Sequence, residues 1–448
     1  MALSVVLLML LEKILTDPLE SLVYMERYVN EGSPSGYSFK HTSSLITSSR
    51  TGNATFELPY FEVDRNTAFV FGNGSVPESI FCSGSGQFRF FVHPDMVNIF
   101  ADEYHSKCIS PSSVAGTIKV SPLANDRTVI SVDECVPYFI KLHYDKILGR
   151  INKSLSMEKS IAGPETSLEL EGLLSDKQLP EEFAFFPEPL ALVVLPPSGP
   201  QEGAGVILRN IKPLPEKVSG PLIPFFSLFS QDIGHTEDPL LLVQLLSNYE
   251  NPTVALMERI VMPILRCYTY LTFKRGLVQE SHSQNLLLGL EEGSFHPKYI
   301  VHRDLMGIYR DVPIRNELGL STQFASHPYR CNYPNDENYY RVHSYYYDSK
   351  LGDYVFKKIV DVAVQHFGAN ANQLTGDIAD AFWEYSGGQC WDHFQPRDKW
   401  YDRGDQLLIG RREFIEHHNP QFRHWKTKPR NVYLNASQGA TVLSRDKA

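Results

Sequence analysis

The chain lacks the cysteine spacing of a metal-stapled or disulfide-stapled fold. Its six cysteines (Cys82, Cys108, Cys135, Cys267, Cys331, Cys390) are scattered over 448 residues with no C-x-x-C pair, so neither a zinc site nor a disulfide framework is implied. It also lacks a basic excess. Lys+Arg 42 against Asp+Glu 52 leaves a formal charge of -10, which argues against a general nucleic-acid binder while leaving room for a local basic pocket for a small anion. No run is long enough to cross a bilayer. The apolar stretch Ala2 to Leu11 is too short and meets Glu12 and Lys13 at once. Without a basic leader or a small-residue cleavage site it reads as a buried helix, not a signal peptide. The glycosylation patterns at Asn53, Asn73, Asn152 and Asn435 carry little weight without a secretory signal. Internal repeats and low-complexity blocks are missing as well. The expectation is a cytoplasmic protein with no membrane or nucleic-acid partner.

What is present is a globular composition, 42% hydrophobic and 21% charged, at a length that suits two or three packed lobes. Aromatic and β-branched runs predict strands at Thr67 to Phe71, Phe88 to Val92, Thr117 to Val120, Thr128 to Val132, Leu190 to Leu195 and Gly205 to Ile211. Helices dominate from about residue 238. Asp238-Pro239 predicts one helix start, and Asn251-Pro252 a second, with a bend at Pro263 and a Gly276 stop. Further helices are expected near Tyr354 to Phe367 and Gln373 to Tyr385, and the polar tail beyond Arg430 is expected to fray. A lobe boundary between Pro213 and Pro239 divides the chain into 1–225 and 226–448.

The chemistry concentrates in Glu280-Ser-His-Ser-Gln-Asn-Leu-Leu-Leu and Tyr299-Ile-Val-His-Arg-Asp-Leu-Met-Gly. The layout is helix, polar loop, strand, glycine-containing turn, strand, then an acid near a glycine. Enzymes that hold Mg²⁺ against a triphosphate need a few oxygen ligands that leave room for phosphate and water. Asn285 and Asp304 have that arrangement. His302-Arg-Asp-Leu also spells the kinase catalytic loop, but position 309 is Tyr309 rather than Asn and no Gly-rich loop stands upstream, so a protein kinase is rejected. The bland alternative is that these polar residues cap a turn. Upstream, Arg127, Lys141 and Lys153 fall within 27 residues, and Lys153 is expected at the next helical start, before Gly163-Pro164. Lys141 and Arg209 lie inside apolar strand-like runs. A cation there is costly unless an anion meets it.

Taken together these segments resemble the IucA/IucC family, the NRPS-independent siderophore (NIS) synthetases. Glu280 to Leu288 resembles the family's E-x-H-x-Q-N-L-L, and Arg303 to Gly307 its R-D-x-x-G. Phe91-Val-His93-Pro94, Ala124 to Thr128, Phe139 to Leu142, Ala162-Gly-Pro and Gly205 to Arg209 resemble further motifs in the same order. The resemblance implies an α+β, multi-lobed cupped-hand fold with a distantly kinase-like palm. It implies an ATP-dependent ligase that adenylates citrate or a related polycarboxylic acid, then joins it to an amine, amino acid or alcohol, with AMP and pyrophosphate released and Mg²⁺ as cofactor. Family members are often homodimers, and no feature here decides that point. Carried over, Lys40, Arg127, Thr128, Lys141 and Gln284 would bind the nucleotide. His282, Arg127 and Lys153 would act at the reacting centre. Arg209, His282 and Lys153 would hold the acid, and Glu280, Asn285 and Asp304 would serve the metal.

The departures are specific. The family's E-G-H-P-x-H-P-x-x-K aligns with Glu31 to Lys40, where Ser33 and Gly36 replace both histidines, and the segment before Glu31 is shorter than in typical members. A diverged ligase of secondary metabolism fits these changes. So does a non-catalytic relative that binds or regulates.

Overall fold

The computed structural model describes residues 13–14, 17–30, 54–74, 77, 81–82, 86–104, 108–109, 118–124, 127–132, 136–148, 151–196, 203–326, 330–331, 343, 345–387, 399–400 and 426–427. Lys40, Ser33, Gly36, the Ala2 to Leu11 segment and most of the tail lie outside them. The fold is α+β. Its largest sheet has seven antiparallel strands, in the order Phe56–Glu57, Lys119–Pro122, Thr128–Ser131, Tyr138–Lys141, Ala204–Asn210, Leu190–Val194, Ala68–Gly72. A second sheet has four strands, Phe183–Phe185, Pro297–His302, Leu286–Leu290 and Leu222–Pro224, the first pair parallel.

Side chains alternate across a strand, and that rule sorts the cores. Val129, Ile140, Leu190, Leu192, Val206 and Leu208 join an aromatic core with Phe61, Phe90, Phe91 and Phe100, beneath the small Tyr60–Val63 sheet. The opposite face carries Ile130 and Phe139, which meet Ala184, Leu287, Tyr299 and Val301 of the four-stranded sheet. The two sheets therefore pack through a shared apolar layer. Beyond the four-stranded sheet lies the helical core, built on Met262–Arg275 with Ile260, Leu265, Tyr268, Leu271, Leu286 and Ile300.

The Asn251-Pro252 start is found, with Asn251 accepting from Val254 N at 3.1 Å. The bend expected at Pro263 takes a specific form. Over Met257–Val261 the ladder widens to a π-helix, and Met262 N–H reaches back to Met257 O. The wider turn relieves the clash between a proline ring and the carbonyl four residues before it. Gly276 ends the helix at φ 59°, as a left-handed cap. Two expectations are corrected. The helix at Asp238-Pro239 begins only at Leu241, because Asp238 N and O bond to His235 and Gln231 and Pro239 O is taken by the Gln244 side chain. Lys153 is not at a helix start but ends the Ile151–Lys153 strand, and Gly163-Pro164 sit inside the helix Met157–Ser175 that follows.

Candidate functional site

Three adjacent strands set polar side chains on one face of the large sheet. Thr128 pairs with Lys141, and Lys141 with Ile207; in the next row Ile130 pairs with Phe139, and Phe139 with Arg209. Because Ile140, Val206 and Leu208 fill the other core, Thr128, Lys141 and Arg209 all face the four-stranded sheet. That sheet supplies the hairpin Leu286–Leu290 and Pro297–His302, turned through Gly293 at φ 83°. The sequence-read hairpin is thus present, and its two polar ends meet. Arg303 N donates to Asn285 O at 2.9 Å, and Arg303 Nε to Gln284 O at 2.7 Å.

Asp304 follows in left-handed backbone, φ 70°, and opens the short 3-10 turn Leu305–Gly307. Few non-glycine residues take that conformation, though aspartate tolerates it better than most. Its carboxylate is bonded to the Lys141 ammonium and lies 3.6 Å from Arg209 Nη2. Gly307 makes the turn close: a Cβ there would stand 3.1 Å from Glu280 Oε2. Glu280 in turn is 2.8 Å from Lys350 Nζ and 3.9 Å from His282 Nε2. Part of the polar loop caps itself. Gln284 N donates to His282 Nδ1, and Asn285 Nδ2 to Glu280 O. Local capping thus takes up part of the loop, while the Glu280 carboxylate turns to Lys350 and His282.

The cations are braced individually. Arg209 donates from Nε and Nη2 to Glu188 Oε1, at 2.9 and 2.6 Å. Arg303 Nη1 meets Glu26 Oε1 at 2.6 Å, and Glu26 Oε2 also accepts from Ala124 N, so the helix Pro18–Tyr28 is tied to both polar segments. Arg127 Nη1 donates to Lys153 O at 2.5 Å, which joins two of the cationic positions. A cleft between the sheets is lined by Glu26, Thr128, Arg209, Gln284, Asn285 and Asp304. Of the eleven residues singled out in the sequence, ten are described, and these contacts bring them around the hairpin; Lys40 lies outside the described residues. Sequence reading missed Glu26, Glu188 and Lys350. A carboxylate inside the apolar Phe185-Phe186-Pro187-Glu188-Pro189-Leu190 run was the signal for Glu188. Nothing local marked the other two.

The electrostatics follow from burial. Burial pushes Lys141 down to about 8 against the pull of Asp304, and pushes Lys153 down to about 8 with Arg127 adding to the effect. Burial alone would raise Asp304, but Lys141 and Arg209 hold it well below the usual carboxylate range. Burial likewise opposes the ionisation of Glu280, and Lys350 and His282 outweigh it to keep the carboxyl low. His282 falls to about 3 and His302 to about 4, both through burial, so each is neutral at pH 7. Among the described residues no three His, Cys, Asp or Glu side chains converge as a metal cluster. The donors at the hairpin still suit Mg²⁺ in kind. Glu280 and Asp304 are hard oxygen ligands, and Asn285, its Nδ2 spent on Glu280 O, has its amide oxygen to offer.

No family model matches the chain, and no curated protein matches its sequence. Solved structures match by fold. The petrobactin biosynthesis protein AsbB from Bacillus anthracis str. Sterne aligns with a TM-score of 0.63 at 14% identity, over 88% of this chain and 70% of that one. The aerobactin synthetase IucA of a hypervirulent Klebsiella pneumoniae pathotype gives 0.61 at 14% identity, over 85% and 70%, and its ATP-bound form gives 0.60. The aerobactin synthetase IucC gives 0.59 at 15% identity, over 95% and 79%. The chain has the fold of these NIS synthetases. No helix among the described residues is long and apolar enough to cross a membrane.

Proposed function

We propose that the protein is an ATP-dependent ligase of siderophore or related secondary metabolism. It would adenylate a carboxylate of citrate or a similar polycarboxylic acid and pass the acyl group to an amine, amino acid or alcohol. One observation carries the reading. Arg127, Lys141, Lys153 and Arg209 gather with Asp304 and Glu280 between two sheets, in the fold of synthetases that include an ATP-bound aerobactin synthetase. Such a site matches a triphosphate and an anionic acid.

In this reading a carboxylate oxygen attacks the α-phosphorus of ATP and the bond to pyrophosphate breaks. The nucleophile then attacks the acyl carbon, AMP leaves with the carboxylate oxygen, and the nucleophile gives up its proton. Lys141, Arg127 and Thr128 would hold phosphate oxygens, and their preorganised positive charge would favour the transition state. Burial depresses Lys141 and Lys153 but leaves both largely protonated at pH 7. Neutral His282 would contact the reacting carboxylate, and Arg209, held still by Glu188, would orient the acid. Lys40 and Gln284 would complete nucleotide binding. Glu280, Asn285 and Asp304 would hold Mg²⁺, which when bound offsets phosphate charge.

The second reading is a relative that binds these ligands without turnover, favoured by Ser33 and Gly36 in place of the two histidines. Pyrophosphate release, screened over polycarboxylic acids crossed with amines and amino acids, separates the two. Acid-dependent pyrophosphate with AMP is the expected outcome. ATP binding with no pyrophosphate for any pair would favour the binding relative, and ADP formation would point to a phosphotransferase.

A further inference from the structure

The helical core carries a groove of about 530 Å³ on the side of the four-stranded sheet away from the cleft. One wall is Pro252–Leu256, the π-helical turn Met257–Val261 and the start of Met262–Arg275. The other is the helix Ala371–Tyr385. Each wall begins at an asparagine cap, Asn251 or Asn370, and both caps line the groove. Further along the walls are tied together, where Arg266 Nη1 donates to Tyr385 Oη at 3.3 Å. The 15 residues of the second wall make it about 22 Å long.

The floor is apolar, formed by Val254, Met257, Met262, Leu374, Ala381 and Tyr385. Val254 is 46% exposed there. Leu374, Ala381 and Tyr385 stand at i, i+7 and i+11, one stripe along the helix, and Asp377, Asp380 and Glu384 all fall on the same side of that stripe. Glu258 adds a carboxylate from the opposite wall, and no lysine or arginine lines the groove. The nearest cations in sequence are engaged elsewhere: Arg259 lies over the Tyr249 ring, 5.3 Å from its centre, and Arg266 is bonded to Glu182. Among the described residues, no three carboxylates converge as a metal cluster. The charges instead run as an edge beside an apolar trough. An apolar groove rimmed by one sign of charge matches a ligand with the same layout and the opposite sign, and a helix laid in a groove through i, i+3, i+4 and i+7 anchors is a recurring form of such a contact.

We propose that this groove docks a basic amphipathic helix of a partner protein. The apolar stripe of the partner rests on Val254, Met257, Leu374 and Tyr385, and its lysine or arginine edge runs along Asp377, Asp380 and Glu384. The groove shares no lining residue with the cleft between the sheets, so this inference stands apart from the ligase reading.

The test is calorimetric titration of the full chain with three synthetic 15-residue peptides. One is a helix with leucine on one face and lysine on the other. The second carries glutamate in place of lysine, and the third scrambles the leucine–lysine composition so that no apolar stripe forms. Two variants alter the groove at exposed positions, Asp377→Lys/Glu384→Lys and Val254→Arg. A third, Glu216→Lys/Glu237→Lys, makes the same change of net charge at exposed positions outside it. Thermal melts confirm folding. Wild type should bind the leucine–lysine helix at least about tenfold more tightly than the other two peptides, and more weakly as salt rises. Each groove variant should weaken that binding by about tenfold, and the control variant should bind as wild type does. No binding by wild type overturns the proposal. Equal binding of the scrambled peptide, or equal loss in the control variant, overturns it as well, because the attraction would then be that of any acidic surface. Unchanged affinity in both groove variants would put the contact elsewhere. A wild-type dimer in sedimentation that Val254→Arg dissociates would make a second copy the occupant, and would overturn the partner-protein assignment.

Discussion

Asp304 concentrates the site in one side chain. The chain accepts left-handed backbone at φ 70° to aim its carboxylate at Lys141 and Arg209, a placement that costs about 1–3 kcal/mol and recurs at functional sites. Asp304→Ala and Arg127→Ala should each abolish turnover while the protein keeps a cooperative thermal melt; near-normal rates in either would refute the site. His302 is the opposite case. It is fully buried, and among the described residues neither ring nitrogen makes a well-formed hydrogen bond. A buried donor left unmade costs about 1–3 kcal/mol, and an apolar residue of similar size escapes it. His302→Leu should therefore raise the urea midpoint, by roughly 1–2 kcal/mol of stability. An unchanged or lower midpoint would mean that the imidazole has a role the folded contacts do not reveal.

Among the elements, those with a local signal were legible in the sequence. The strands around Lys141 and Arg209 announced themselves by apolar runs that tolerate one cation, and the hairpin by its glycine turn and polar ends. What sequence could not supply were the counter-ions. Glu26 meets Arg303 across 277 positions, as the residue numbers show, and Lys350 meets Glu280 across 70, so no periodicity links either pair. The π-helices were illegible for a different reason: their widened ladder has no side-chain signature, and Pro263 betrayed only that a bend was needed. Helix Met157–Ser175 offers a test of packing between elements. Gly→Ala inside a helix ordinarily gains up to about 1 kcal/mol. At Gly163 the added Cβ would stand 2.2 Å from Glu188 Oε2, the carboxylate that braces Arg209. Gly163→Ala should reverse the usual sign, lowering the melting temperature and raising KM for the acid more than for ATP. A stabilised variant with an unchanged acid KM would show that the helix yields there.

Across the whole molecule, neutral buried histidines make stability depend on pH. The folded pKa of His302 is about 4 and that of His282 about 3, both below the ordinary 6.5, and His143 is lowered by burial as well. Between those values the unfolded chain binds more protons, so stability is lost as pH falls from about 6.5 toward 4. The His302 shift alone is on the order of 3 kcal/mol. Denaturant midpoints in the absence of nucleotide and metal should fall steadily across that window; a flat profile would contradict the neutral histidines. The net charge of -10 does not set the character of the site. The large sheet and the four-stranded sheet gather a small cluster of cations between them, and ATP and a polycarboxylate are the ligands proposed for it. Acyl adenylation is tested most directly by turnover of a carboxylate-¹⁸O-labelled polycarboxylic acid with ATP and an accepting amine, followed by mass spectrometry of the nucleotide products. One ¹⁸O in the AMP phosphate for each amide formed is the result expected from attack of the carboxylate on the α-phosphorus. Unlabelled AMP, or ADP with the label in inorganic phosphate, would contradict it.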